Sequence, residues 1–342
     1  MAIAIDTSTP VVTAVTNSGT TTTSAAFSPP ANSVIFVFFA LNGATGVTAQ
    51  SVTAMTDSLG SHLGWALFTG SRDNIRSGST LDGDTEVWWA SCPSAQTNMT
   101  VTATYAVINS NATVNPAGLM EVVVFTGAAT TQNGNASIRN STSTGTPSQT
   151  LVTSANNSWV FGVIQNWTSG TGPTPDANQT NAINGTSTIE LDSTDGDAYW
   201  MQLQNNPTPA SGTTVTIDDT APTSIVFHFS MVEVLAAPTA PLVNTAAVTN
   251  VGPTSATGNG LVTSDGGSAI TERGVCWNTL SNPTTANNKA TASGTVGSYS
   301  ASITGLSDNT LYHVRAYAIN AIGTSYGNDV TFQDYPVGVA WL

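Results

Sequence analysis

Ser224-Ile-Val-Phe-His-Phe-Ser-Met-Val-Glu-Val-Leu235 decides the fold. Ile225, Phe227, Phe229 and Met231 fall on one side of this stretch, and Val226, His228, Ser230 and Val232 on the other. A period of two is that of a β-strand, here with one core face and one mixed face. Met99-Thr-Val-Thr-Ala-Thr-Tyr105 alternates as cleanly, with Thr100, Thr102 and Thr104 outward. Val34-Ile-Phe-Val-Phe-Phe-Ala-Leu41 is apolar on both faces, as expected of a central strand or of one covered by a partner subunit.

Similar runs recur outward from these three, bounded by Gly, Asn, Pro and Ser. They fall at Val11–Thr16, Ser51–Thr56, Trp65–Ser71, Thr85–Cys92, Met120–Thr126 and Gln149–Thr153, then at Trp159–Asn166, Ser187–Leu191, Tyr199–Gln204 and Thr213–Ile217. Helical periodicity is almost absent. Many short strands with no intervening helix predict an all-β chain whose residues 1–235 form a large jelly-roll-like β-sandwich. The polar stretches Asn133–Pro147, Thr168–Gly185 and Asn205–Thr214 read as long surface loops.

Composition narrows the function classes. Of 342 residues only 8% are charged, six basic and twenty acidic, for a formal net charge of −14. The basic side chains (Arg72, Arg76, Arg139, Arg273, Lys289 and Arg315) are scattered. Nucleic-acid binding needs clustered Lys and Arg that displace counterions, so no nucleic-acid partner is expected. No apolar stretch approaches the roughly 18 residues of a membrane helix, so no membrane partner is expected. Met1-Ala-Ile-Ala-Ile-Asp lacks the basic and apolar regions of a secretory signal, and synthesis in a cytoplasm is expected. Cys92 and Cys276 are too few for a disulfide scaffold and read as buried thiols in different domains.

The composition breaks at Ala236-Ala-Pro-Thr-Ala-Pro241, which reads as a semi-extended linker over 236–241. Beyond it, Gly305-Leu-Ser-Asp-Asn-Thr-Leu-Tyr-His-Val-Arg-Ala-Tyr-Ala-Ile-Asn-Ala-Ile-Gly323 resembles the most recognisable strand of a fibronectin type III or immunoglobulin-like domain. Leu306 precedes a turn, and Tyr312, Val314, Ala316 and Ala318 alternate inward. The resemblance implies that Tyr312 ties a corner of the sandwich to the backbone. Ile270–Trp277 resembles a further strand of such domains, and Gly323–Phe332 would be the closing hairpin. Residues 242–334 are therefore expected to form a second, smaller sandwich, with 335–342 as a tail. Such a module implies a spacer or adhesive role and brings no active site with it.

Candidate sites are sparse. Asp82-Gly-Asp-Thr-Glu86 and Asp192-Ser-Thr-Asp-Gly-Asp197 concentrate carboxylates in turn-forming sequence. Asp82, Asp84, Glu86, Asp192, Asp195 and Asp197 are thus candidate calcium ligands, although neither run has the distal Glu of a calcium loop, and a plain charged turn is the competing reading. No other cofactor is expected. His62, His228 and His313 lie far apart, and no nucleophile elbow, phosphate loop or Cys–His pairing occurs, so no catalytic residue is assigned. Trp88 and Trp89 are adjacent in a strand and must face opposite ways; with Trp167 they are candidates for an interface or a sugar platform, against core filling.

These readings favour a non-enzymatic protein. Val52-Thr-Ala-Met-Thr-Asp-Ser-Leu-Gly60, with Glu86-Val-Trp-Trp-Ala90, resembles β-sandwich domains of tailed-bacteriophage structural proteins and bacterial surface proteins. That resemblance implies a virion-surface protein, a capsid decoration or head fibre, whose immunoglobulin-like module gives weak attachment to cell-surface glycans. Its expected partners are other virion proteins and further copies of itself, a trimer among the options. A tail-associated protein and a secreted bacterial adhesin or carbohydrate-binding protein stay open as alternatives.

Overall fold

The computed structural model describes residues 2–15, 20–42, 51–73, 83–105, 118–140, 144–166, 168–192 and 196–334. Among them the chain forms strands and turns and no helix. It divides into two compact units, Met1–Ala237 and Pro238–Leu342. Each side of that boundary is ordered into its own unit: Ala237 N donates to Gly127 O, and Thr239 N donates to Gly266 O.

The first unit begins with β1 (Ala4–Ile5), β2 (Thr13–Val15), β3 (Thr21–Thr23), β4 (Ser33–Leu41), β5 (Val52–Asp57), β6 (Ala66–Leu67), β7 (Asp84–Cys92), β8 (Val101–Tyr105) and β9 (Gly118–Thr126). It continues with β10 (Ala136–Asn140), β11 (Ser148–Val152), β12 (Trp159–Asn166), β13 (Thr174–Pro175), β14 (Gln179–Thr180), β15 (Ala182–Ile183) and β16 (Thr186–Ser187). β17 (Ile189–Asp192), β18 (Asp197–Gln204), β19 (Thr214–Ala221) and β20 (Phe227–Val234) complete it. The stretches 133–147 and 168–185, expected as loops, instead carry β10 and β13 to β15. Their Ser, Thr and Asn composition is that of short edge strands with one wet face.

The first unit is a β-sandwich twice over. Sheet β1-β9-β4-β7-β6 packs one face on the small sheet β3-β8-β5, and sheet β10-β20-β12-β18-β14 packs one face on β11-β19-β13. Ile35, Val37, Phe39, Val101, Ala103 and Val122 fill the first of these outer cores. Val160, Trp200, Ile217, Phe227 and Phe229 fill the second. The two large sheets then meet face to face through a third core, which includes Phe36, Phe38, Phe125, Phe161, Val163 and Met201. Four sheets are thus stacked, and both inner ones are buried on both faces. This explains why β4 is apolar from Val34 to Leu41 and buried at every residue: a second sandwich of the same chain covers it. At the centre, Phe125 meets Phe36 edge-on at 5.6 Å and Phe161 edge-on at 5.0 Å, linking the two halves directly.

The halves repeat one design. β9-β4-β7 and β20-β12-β18 have the same order, β1 and β10 flank them alike, and β8 and β19 each carry two partners in the outer sheets. Asn32-Ser-Val-Ile-Phe36 matches Asn157-Ser-Trp-Val-Phe161 in sequence. Asn32 and Asn157 share a left-handed backbone, φ 59° and 57°. Ser33 Oγ donates to Pro30 O, and Ser158 Oγ donates to Ala155 O, the same local bond twice. The packing is reciprocal: β4 lies on β12, β7 on β20, and β9 on β18. An exchange of halves maps these contacts onto one another, which is the pattern of an isologous dimer within one chain.

The second unit contains β21 (Leu242–Thr249), β22 (Ser255–Ser264), β23 (Glu272–Asn278), β24 (Asn288–Ala292), β25 (Gly297–Thr304), β26 (Leu311–Ile319), β27 (Thr324–Tyr326) and β28 (Val330–Gln333). Sheet β21-β22-β25 faces sheet β24-β23-β26, to which β27 and β28 add along β26. This is a fibronectin type III/immunoglobulin-like sandwich. Val275, Trp277, Ile303, Tyr312, Val314 and Phe332 are in its core. Tyr312 Oη accepts from Ser307 N at 2.9 Å, the corner tie implied by the sequence. The expected tail, 335–342, lies outside the described residues.

Because Phe161 belongs to the shared core, Phe161→Ala should loosen both halves together, at a cost of about 3–5 kcal/mol. Hydrogen exchange followed by mass spectrometry should show protection falling alike in 33–41, 118–126 and 159–166. A loss confined to 159–166 would mean that the sandwiches are independent.

Candidate functional site

The strand ends carry the polar residues of the first unit. At one end of the inner interface, on the mixed face of β20, His228 Nδ1 lies 3.0 Å from Asp73 Oδ2, with both side chains fully buried. Beside them Ser230 shares a hydroxyl hydrogen bond with Thr85 at 2.8 Å. The Gln165 side chain lies against Gly83, where a Cβ would collide with its amide. Asp197 accepts from Asn42 Nδ2 at 2.7 Å and from Tyr199 Oη at 3.1 Å. These contacts orient the two sandwiches on one another, since a buried polar group without its partner costs about 1–3 kcal/mol.

The acidic candidates separate over this framework. Alternation along β7 turns Asp84 and Glu86 away from that interface, toward the outer core that contains Leu41 and Phe39, their cross-strand neighbours. Glu86 is paired with Arg72 and accepts from Val52 N. Burial still pushes its carboxyl up, because desolvation exceeds what Arg72 restores. Asp84 is held well above the ordinary carboxylate range by burial and by the neighbouring Glu86. Asp197 serves the inner interface on the other side of the stack. Asp82 and Asp195 lie outside the described residues, as does Trp167, and Asp192 lies on β17. Among the described residues no group of three or more His, Cys, Asp or Glu is gathered around a metal position.

Trp88 and Trp89 face opposite ways, as their adjacency requires. Trp88 packs against the first outer core and Trp89 against the shared core, each half-buried. They are wedges at the rims of two cores rather than one platform.

Sequence reasoning missed two carboxylates that organise loops. Asp57, at the end of β5, accepts from Leu59 N at 3.1 Å, His62 Nδ1 at 3.1 Å, Leu63 N at 2.9 Å and Trp65 Nε1 at 2.9 Å. Burial raises its pKa, but the donors, Trp65 foremost, outweigh burial and hold the carboxyl below its usual value. The loop 58–65 so formed borders a surface groove of about 460 Å³, lined among others by Ser61, His62, Ser91, Ser94 and Gln96. The Asp57–His62 pair has the form of an acid–imidazole dyad. Among the described residues no serine or cysteine hydrogen-bonds to that imidazole, and the carboxylate is shared with three other donors. Its chemistry is that of a loop clamp beside a groove lined largely by hydroxyl and amide groups. The only signal in the sequence was the turn-forming run Asp57-Ser-Leu-Gly60, in which an Asp side chain can accept from the backbone two residues on.

Glu233, fully buried on β20, does the same in the other half of the first unit. It accepts from Asn135 N, from Ser154 N and Oγ, and from Ala155 N. Burial opposes its charge, yet these donors hold its carboxyl below the ordinary value. Asp219 is the contrary case. Burial, then the charges of Asp218 and Asp176, push it up to about 8, against partial relief from Gln202 and Trp200.

No protein-family model matches the chain, and no curated protein matches it. Among solved structures the chain is similar to titin domains A168–A170, at 14% identity and a TM-score of 0.19, over 98% of this chain and 99% of that one. It is also similar to the FN1–FN3 domains of chicken CNTN1, at 10% identity and a TM-score of 0.22, over 96% and 98%. The fold assignment given above rests on strand order and register.

Two predictions follow from these carboxylates. Asp57→Asn should speed amide exchange at Leu59 and Leu63, shift Trp65 fluorescence to the red, and cost about 1–3 kcal/mol; unchanged exchange would remove the clamp. For Asp219 the unfolded group titrates near 3.8 and the folded one near 8. Its contribution is therefore fully present below about pH 4 and is lost as pH rises toward 8. Asp219→Asn should raise Tm at pH 8 by several degrees, at about 2–4 °C per kcal/mol recovered, and change it little at pH 4. Equal effects at both pH values would contradict this.

Proposed function

We propose that this chain is a non-enzymatic structural protein of a virion surface, in which the doubled sandwich is the docking body and the fibronectin type III/immunoglobulin-like unit serves attachment. The supporting observation is how the first unit deploys its chemistry. Asp57, Glu86, Asp197 and Glu233 are committed to internal bonds, and Trp88 and Trp89 wedge two cores. The two surface grooves are lined mainly by neutral groups: Ser61, Ser91, Ser94 and Gln96 in the first unit, and Ser298, Ser300 and Ser302 in the second. Neutral hydroxyl and amide surfaces make contacts that salt screens little, as suits a particle exposed to varied media. The strand topology suits stiffness, because each inner sheet of the doubled sandwich is braced on both faces.

Within this reading, a capsid decoration or head fibre is preferred to a tail component, with other virion proteins and further copies of the chain as partners. A bacterial adhesin or carbohydrate-binding protein is the second reading, and the groove beside the 58–65 loop favours it. Its size and hydroxyl lining suit a neutral sugar ring.

Peptide mass spectrometry on density-purified particles, with copy number, tests the proposal. Hundreds of copies per particle are expected for a lattice decoration, and three to about a dozen for a vertex or tail protein. Absence from particles together with recovery in a cell-surface fraction would replace the virion reading with the adhesin.

A further inference from the structure

We infer that β25 is an open sheet edge that pairs, antiparallel and about a two-fold axis, with the same strand of a second copy of this chain. The inference concerns the C-terminal unit alone and holds whatever the protein decorates.

The unit has several sheet edges, and most carry a feature that discourages further pairing. β21 breaks register with β22 at Leu242/Val243 and again at Ala246/Thr249. It is also closed on its other side, where Gly327 sits so near Thr245 that a Cβ would lie 2.3 Å from the Thr245 nitrogen. β24 has only five residues and carries Lys289. β27 has three residues and β28 four.

β25 is neither short, charged nor broken in register, and β24, which runs near it, makes no ladder with it. Its eight residues pair with β22 without interruption from Ser255↔Thr304 to Val262↔Gly297. Among the described residues no strand pairs with its other side. The run from 293 to 304, Ser-Gly-Thr-Val-Gly-Ser-Tyr-Ser-Ala-Ser-Ile-Thr, contains no charge and no proline. About half of the N–H and C=O groups of such a strand point outward and are available to a partner.

The edge is held ready. Arg273, itself 7% exposed, donates to Ser293 O, Thr295 O and Gly297 O, and its guanidinium stacks 4.7 Å above the Tyr299 ring. The backbone leading into β25 is therefore ordered before any partner arrives, which lowers the entropy lost on pairing. Alongside lies a groove of about 610 Å³ between Thr291–Ser293 and Ser298–Ser302, which gives an incoming strand room.

The occupant follows from charge and symmetry. Two copies at a net charge of −14 repel over most of their surface. The β25 edge carries no charge and the Arg273 guanidinium lies against it, while Lys289 nearby is paired with Glu272, so this is where two acidic molecules repel least. A two-fold pairing also satisfies both edges at once and leaves no new one, whereas head-to-tail addition would continue. Ser298, Ser300 and Ser302, exposed on one face, then lie among the same hydroxyls of the partner strand, where cross-strand hydroxyl pairs add stability.

The test uses the full chain in sedimentation velocity over about 1–300 µM, the span in which a standard-state free energy of roughly −5 to −8 kcal/mol is read, with hydrogen exchange at both ends of the range. The expected result is a concentration-dependent dimer in which alternate amides of Gly297–Thr304 gain protection. S298E/S300E/S302E places like charges across the two-fold and should weaken the dimer about ten-fold or more, a loss of about 1.4 kcal/mol. N244E/A246E, on exposed positions of β21, should leave dimerisation as it was. Should the triple variant unfold, S300K/S302K provides the same like-charge test. A chain that stays monomeric throughout, protection that rises elsewhere than in 297–304, or a charged variant that dimerises like the parent would overturn the inference.

Discussion

The face-to-face packing of the two large sheets in the first unit is the constraint from which its other features follow. A sheet buried on one face can alternate apolar and polar residues, but a sheet buried on both cannot. β4 is therefore apolar from Val34 to Leu41, and β9, β12, β18 and β20 are apolar over most of their length. Several of the polar residues in these strands are bonded across the interface or at its ends, as with Ser230 to Thr85 and Glu233 to the 154–155 backbone, whereas burial pushes the Glu121 carboxyl on β9 well above its ordinary range. With charge so expensive inside four stacked layers, a chain of 8% charged residues is the expected composition for this architecture.

The strands and the all-β class were legible in the sequence because alternation is a local signal. The reading of Ser224–Leu235 assigned both faces of β20 correctly, including the mixed face that carries His228 and Ser230. The C-terminal sandwich was legible for another reason: the spacing of Leu306, Tyr312 and the alternating residues after it is set by a corner whose hydrogen bond is present. The doubling was not legible from strand patterns. Its clearest trace, Asn-Ser followed two residues later by a branched residue and Phe at 32–36 and 157–161, is only five residues long. The two halves otherwise share topology and not side chains.

The site residues were harder to read because their roles depend on neighbours distant in sequence. Asp84 and Glu86 look like turn carboxylates when read beside Gly83, yet the chain buries them on a central strand with Arg72 as their nearby cation. Trp88 and Trp89 were expected to face opposite ways and do, but which core each would meet depended, for Trp89, on a sheet whose strands come only later in the chain, from β10 to β20. Asp57 and Glu233 gave no prior signal beyond turn-forming surroundings. What marks them is the convergence of four or more donors, a property of the assembled loop.

The internal two-fold has a consequence for how such a chain can change over time. Strand register makes Leu119 the counterpart of His228, and Glu121 the counterpart of Ser230. The buried imidazole–carboxylate pair accordingly occurs once, not twice, across the pseudo-axis. Two separate identical subunits could not hold such an arrangement, since any residue placed on one would be placed on both. Joining the halves in one polypeptide lifts that obligation. Each half is free to drift as a lock or as a key, and its outer sheet can acquire a surface that the other never copies.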